Sequence, residues 1–435
     1  MEISGPVIGI ISFALVILFS MIGIPIAFGT AVVGIGGMIY MRSWETALSF
    51  SGITPFAAAS HYTLSVLPLF ILMGYLVAET GATTEFYNAA KRWLGKLPGG
   101  LALSTVVGSA AFAACTGSSA STAALFGTVA YPEMREHGYD RRLSLGSVCC
   151  SAPLAVMIPP SALLVMYAIM IEGSVSRQLL AGFLPGLLTA FLFMLMIFFR
   201  VWRNPSIAPS TAGFTWKEKF ESLKGVWATL GIIIIIIGGL YLGLVTPTEA
   251  GALGVFTAFV IGVARKRMSW AVLKRAMINS AKTNCMIFTI IVGVFLYISF
   301  LAITNLPYAI GEWIVALNVP GLVIIAGIML LCILLGMFMD AIGILMLVVP
   351  ITFKTVLALG FNPVWYGVLL IHTCEMGLIT PPVGLTAFAL KGVLPNVPME
   401  EIFRSIAPFL LMLFITLAIL MLFPDITLLL PNTMR

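Results

Sequence analysis

Apolar runs alternate with short polar breaks along the whole chain. "VIGIISFALVILFSMIGI" (7–24) and "LGIIIIIIGGLYLGLV" (230–245) each approach the roughly 20 residues that cross a bilayer as a helix. The pattern predicts an all-α integral membrane protein with many crossings. Glu2 and the absence of Lys or Arg before the first run leave no basic leader, so that run is expected to be retained as a spanning helix. Stretches 44–60 and 84–96, and others near 268–282 and 305–317, are too short and polar to span and too apolar for free loops. They read as interfacial helices bracing a rigid scaffold.

The second half repeats the first at an offset of 222. Pro25 pairs with Pro247, Gly29 with Gly251, "LPGGL" (97–101) with "VPGLV" (319–323), "HGYD" (137–140) with "LGFN" (359–362), and "IPPS" (158–161) with "TPPV" (380–383). The matched positions are mostly the Gly and Pro that set the backbone. The expected organisation is a first repeat over 1–199, a polar cytoplasmic linker over 200–227 and a second repeat over 228–435. Each repeat carries five crossings, one broken by Pro-Pro (about 143–172 and 364–393), plus a glycine-rich segment (about 98–135 and 320–353).

Charge tests this reading. An odd number of crossings inverts the second repeat, so equivalent loops face opposite sides. Loop 81–97 carries three basic residues and its equivalent 303–319 none, while 41–62 carries only Arg42 and 265–284 carries six. With the N-terminus outside, 19 of the 23 Lys and Arg fall in inner loops, leaving Arg42, Arg177, Lys354 and Arg435 outside. The agreement requires the glycine-rich segments to be re-entrant hairpins.

Composition narrows the function. The chain is 60% hydrophobic and 9% charged, and its net charge of +6 lies in short loops instead of an aromatic-interleaved patch, so no nucleic-acid partner is implied. The six cysteines (115, 149, 150, 285, 332, 374) sit almost entirely in apolar segments without metal-ligand spacing and read as packing residues, with no transition metal or cofactor. H-E-x-x-H, G-x-S-x-G and G-x-x-x-x-G-K-[ST] are all missing, which argues against an intramembrane enzyme and against direct ATP use.

Candidate chemistry gathers at the hairpin tips. "CTGSSAST" (115–122) concentrates hydroxyls around a glycine inside an apolar chain, and backbone at membrane depth must be satisfied by protein, water or ligand. The equivalent tip, "LGMFMDAIG" (335–343), places Gly336 at the turn and Asp340 opposite Ser118. Pro159-Pro160 and Pro381-Pro382 break their helices and free preceding carbonyls. Two hairpin tips and two broken helices in inverted relation form the plan of a secondary transporter with its site near the midplane. Half-helix N-termini favour an anionic substrate and carbonyl-rich C-termini a cation. A carboxylate at membrane depth is usually functional, which marks Asp340 for ion coordination or protonation. Glu375 and His372, one turn apart, either relay protons or simply satisfy each other. Glu249 in "TPTEAG" reads as a helix N-terminal carboxylate, and His61 and His137 as ordinary loop residues. Arg141 or Arg142 reaching from a loop is an alternative to helix termini and hydroxyls for reading a carboxylate.

The ordered set "GSSAST" (117–122), "MIPPSALLVMYAIM" (157–170), "VTPTEAGALG" (245–254) and "GLITPPVGLTAFALKGV" (377–393) resembles the large membrane subunit of the tripartite ATP-independent periplasmic (TRAP) transporters over essentially the whole chain. The resemblance implies an elevator-type, sodium-driven importer of organic acids such as C4-dicarboxylates or sialic acid. It also implies two partners, a small four-helix membrane subunit and a periplasmic substrate-binding protein. Carried over, one sodium site uses Thr116, Gly117, Ser118 and Ser119 with Ile158 and Pro159. A second uses Gly336 and Asp340 with Thr380 and Pro381. The acid lies between the tips, near Ser121, Pro160, Ser161, Pro382, Gly384 and Thr386. "SVCCSAPLAVMIPPS" departs from the family pattern, which usually has a glycine just before the first proline pair. The competing reading is an inverted-repeat carboxylate carrier that works alone, coupled to sodium or protons.

Overall fold

A computed structural model describes residues 4–210, 213–316 and 319–434, apart from the side chains of residues 83, 113–116, 228 and 314–316. Among the described residues every regular element is helical. Glu2, Arg435 and the Thr116 side chain, all used in the sequence reading, lie outside the described residues.

Helix bounds recur at the sequence offset. Ser119–Glu136 is matched by Ala341–Ala358, and Arg141–Met157 by Pro363–Ile379, each 222 residues on. The caps recur too. Ser118 and Asp340 both cap the second arm of a hairpin, and Asp140 and Asn362 both cap the helix that follows. These short polar side chains accept N–H groups that have no partner within the helix, which fixes where each helix starts.

The first glycine-rich segment folds as Gly100–Thr116 and Ser119–Glu136, and the second as Gly321–Gly336 and Ala341–Ala358. Each begins and ends at one end of the bundle. Lys91, just before the first hairpin, pairs with Glu133 near its close, and the Leu101 amide donates to the Tyr139 hydroxyl (3.1 Å). Gly321, opening the second hairpin, packs against Phe361, just after its close. The other ion pairs among the described residues join segments read as inner loops, Arg141 with Glu401 and Arg265 and Arg267 with Glu85, or tie one to the end of a span, Arg275 with Glu79.

The halves are not identical. Trp44–Ala59 and the Tyr62–Glu79 span are separate helices, whereas their equivalents merge into Trp270–Thr304, 35 residues long. The expected interfacial helix near 268–282 is therefore the first part of a continuous rod. No proline lies between 270 and 304, while Pro55 falls near the end of Trp44–Ala59. At 1.5 Å per residue the rod is about 50 Å long, longer than a ~30 Å hydrocarbon core.

Among the described residues six helices are long and apolar enough to cross a membrane alone, and up to eight if two bent pairs each count as a span. Shorter apolar helices such as Gly5–Met21, Ile26–Met41 and Pro363–Ile379 complete the bundle. Large apolar side chains cover its outside, Phe28, Val32, Phe199, Ile234 and Phe256 among them, as lipid contact requires. The linker is helical from Trp216, and it docks on Ala82–Leu94 through Trp93, which packs edge-on against Trp216 and Phe220.

Candidate functional site

The hairpin tips, both broken spans and two unbroken helices converge on one cavity of about 380 Å³. The first tip contributes Gly117 to Ser121, and the second Asp340 to Ile342. The first broken span supplies Val156, Ala162 and Leu163, and the second Glu375, Leu378, Leu385 and Thr386. Ile71 to Ala78 and Thr283 to Ile287, from the Tyr62–Glu79 and Trp270–Thr304 helices, close the opposite side.

Each broken element turns a helix N-terminus toward this cavity. First-turn residues of Ser119–Glu136, Ala162–Met170, Ala341–Ala358 and Leu385–Val393 all line it. The leading amides of a helix lack internal partners, and each N-terminus is equivalent to roughly half a positive charge. The chain thus builds an anion-receptive wall without a cationic side chain, since no Lys or Arg lines the cavity among the described residues. Arg141 is held elsewhere, pairing with Glu401 (3.2 Å) and donating to the Asn396 carbonyl (3.4 Å).

At the first tip, Gly117 has a left-handed backbone (φ +59°) and lies beside the Pro160 carbonyl and the Ala162 amide, so tip and break are in contact. The Ser118 hydroxyl accepts from the Ser121 amide (3.4 Å), and the Ser121 hydroxyl lies 3.2 Å from Ser118 Oγ. Ser119 is buried and accepts from Thr386 Oγ1 (3.5 Å), linking the first hairpin to the second broken span. The Ser119 hydroxyl in turn faces the Glu375 carboxylate.

At the second tip, the Asp340 carboxylate accepts from the Gly343 amide (3.4 Å) and faces the cavity. Gly336 does not make the turn expected of it. It ends the first arm, where a Cβ would lie 2.7 Å from Gly377 Cα, so its smallness serves a backbone contact and the turn falls on the residues that follow.

Several candidate residues stand behind the cavity wall. Ile158, Pro159 and Pro160 are buried, and the Met157 backbone carbonyl, before the break, packs closely against Gly182. Ser161 is fully buried, with its hydroxyl accepting from the Leu164 amide (3.3 Å). Thr380 donates to the Met376 carbonyl (2.6 Å), Gly384 opens the next helix with φ +64°, and Pro381 and Pro382 are exposed outside the cavity lining. Both proline pairs contain a cis bond.

His372 and Glu375 do not pair with each other. The His372 ring contacts the Leu413 carbonyl (3.1 Å), whereas Glu375, only 2% exposed, turns to the cavity with Oε2 lacking a hydrogen-bond partner. Sequence reasoning missed Tyr75 and Thr283, whose hydroxyls meet at 2.9 Å across the two unbroken helices. Tyr75 follows a lone Gly74 and Thr283 follows Lys282, and neither neighbour by itself marks a site.

A family model for the tripartite ATP-independent periplasmic transporter, DctM component, matches residues 11–426. The chain belongs to this family. This TRAP large permease is 32% identical to the C4-dicarboxylate TRAP transporter large permease protein DctM of Pseudomonas aeruginosa, over 87% of this chain and 88% of that one. It is 29% identical to the sialic acid TRAP transporter large permease protein SiaM of Vibrio cholerae, over 94% and 95% of the two chains. Among solved structures, the Alcanivorax borkumensis YdaH transporter shares its fold, with a TM-score of 0.58, 15% identity, and 87% and 89% of the chains covered.

Proposed function

We propose that this permease imports a small organic acid across a bacterial inner membrane by sodium symport, with its N-terminus outside and its second repeat inverted. A periplasmic binding protein delivers the acid, and a small four-helix membrane subunit completes the transporter. The observation that carries the reading is the convergence of both hairpin tips and both broken spans on one cavity closed by two unbroken helices. Its four helix N-termini suit a carboxylate, and Asp340 suits a cation.

The first sodium is held by Gly117, Ser118 and the tip backbone against the carbonyl side of the Pro159-Pro160 break. The second is held by Asp340 with the carbonyls freed around Thr380. Each ion draws a hairpin tip onto its broken span, which completes the pocket for the acid. The hairpins and broken spans then slide as a unit past the unbroken helices. Sodium drives that motion only through unequal affinity for the two positions.

The test is the unfolding temperature of the purified chain across a sodium titration, with potassium holding ionic strength constant. A site filled only in the folded state adds about 1.4 kcal/mol near ten times its dissociation constant. A sodium-specific rise reduced in Asp340→Ala is expected. A flat wild-type response rejects sodium binding by this chain.

A further inference from the structure

The character of the cavity wall restricts the cargo further than the family does. Its apolar part is extensive, with Ile71, Phe112, Leu125, Leu163, Ile287 and Leu378 contributed by both hairpin-side and unbroken elements. Its polar groups are concentrated on the broken-helix side, at Ser118, Ser119, Ser121 and Thr386 with the four helix N-termini. On the opposite side the polar groups are Tyr75 and Thr283, bonded to each other, which leaves one hydroxyl hydrogen between them. A carboxylate or a set of sugar hydroxyls on that side would lose its water without replacement, and a buried polar group without partners is costly.

The cavity offers no Lys or Arg among the described residues, so a second carboxylate directed at the apolar side meets no cationic side chain there and only the one hydroxyl hydrogen left between Tyr75 and Thr283.

We propose that the cargo is a monocarboxylic acid with a branched aliphatic or aromatic body, and not a dicarboxylate or a polyhydroxy acid. The proposal rests on the reading of this cavity as an acid-transport site. The carboxylate sits against the helix N-termini and serine hydroxyls, and the body lies along Leu125, Phe112 and Ile287.

The experiment measures thermal stabilisation of the full-length purified chain in sodium buffer by 4-methylpentanoate, phenylacetate, propanoate, succinate and N-acetylneuraminate. The expected result is an apparent dissociation constant for 4-methylpentanoate or phenylacetate at least tenfold below those for propanoate and succinate. In Leu125→Ser, at the cavity wall and only half-buried, that preference over propanoate collapses. Leu378→Ala serves the same purpose if Leu125→Ser does not fold. Tighter binding of succinate or N-acetylneuraminate overturns the proposal and leaves acid transport standing. Stabilisation by sodium with none by any acid also overturns it, while leaving sodium coupling intact. No response to sodium or to any acid rejects both this proposal and the function it rests on.

Discussion

Gly336 and Gly377 meet backbone to backbone. A Cβ on Gly336 would lie 2.7 Å from Gly377 Cα, and one on Gly377 would lie 2.6 Å from Gly336 Cα. The contact joins the first arm of the second hairpin to the broken span that carries Glu375, so it sets the distance between two walls of the site. Neither backbone yields as a flexible side chain would. Gly336→Ala and Gly377→Ala are each expected to destabilise by about 1–3 kcal/mol, the usual range for overpacking. Gly327→Ala, in the same arm with open space around it, should cost nothing beyond experimental error. Urea unfolding followed by tryptophan fluorescence compares the three, and equal effects at Gly327 and Gly336 would sink the close-contact account.

Asp340 has two separable jobs. As an N-cap it accepts the Gly343 amide, and as a carboxylate it faces the cavity. Asparagine caps about as well as aspartate, whereas alanine loses about 1 kcal/mol at such a position. Asp340→Asn is therefore expected to keep the unfolding temperature of the sodium-free protein while losing most of its rise with sodium. Asp340→Ala should lose both. A full sodium response in Asp340→Asn would remove the charge from the ion site.

The fold was legible because its punctuation is chemical. Pro159-Pro160 and Pro381-Pro382, and the caps Ser118 and Asp340, restrict the backbone on their own and recur at one offset, so helix bounds could be read to within a few residues. The site was legible only where it coincides with that punctuation. Gly117, Ser118, Ser119, Ser121, Asp340 and Thr386 reach the cavity. Ser161 carries the same kind of hydroxyl, yet it is spent on the Leu164 amide. Tyr75 and Thr283 could not be found, because packing across two ordinary helices brings them together and no local rule reports on that. A glycine in a tip, such as Gly336, is ambiguous between a turn and a close approach until its neighbour is known.

Sidedness gives a further expectation. The ion pairs gather the ends of the first hairpin with segments 265–275 and Glu401 at one end of the bundle, the end read as cytoplasmic. In a variant with the native cysteines replaced, a cysteine at His137 or Lys217 should react with an impermeant maleimide only in inverted vesicles. One at Arg42 or Arg177 should react only in intact spheroplasts. The opposite labelling would reverse the orientation, and equal labelling of 42 and 137 from one side would break the inverted arrangement.

Glu375 tests how the two halves are tied together. Its carboxylate faces Ser119 on the first hairpin, and Ser119 accepts from Thr386 beyond the second break, so three elements meet through one buried hydroxyl. His372, one turn earlier on the same helix, contacts the Leu413 carbonyl instead. Residues that share a polar network show interaction energies of about 0.5–3 kcal/mol, while independent sites add to within about 0.5 kcal/mol. A double-mutant cycle of Ser119→Ala with Glu375→Gln should fall in the first class. A cycle of His372→Ala with Glu375→Gln should fall in the second, both read from urea unfolding in sodium buffer. If the histidine cycle couples and the serine cycle does not, then Glu375 belongs to its own helix and the bridge between hairpin and broken span is lost.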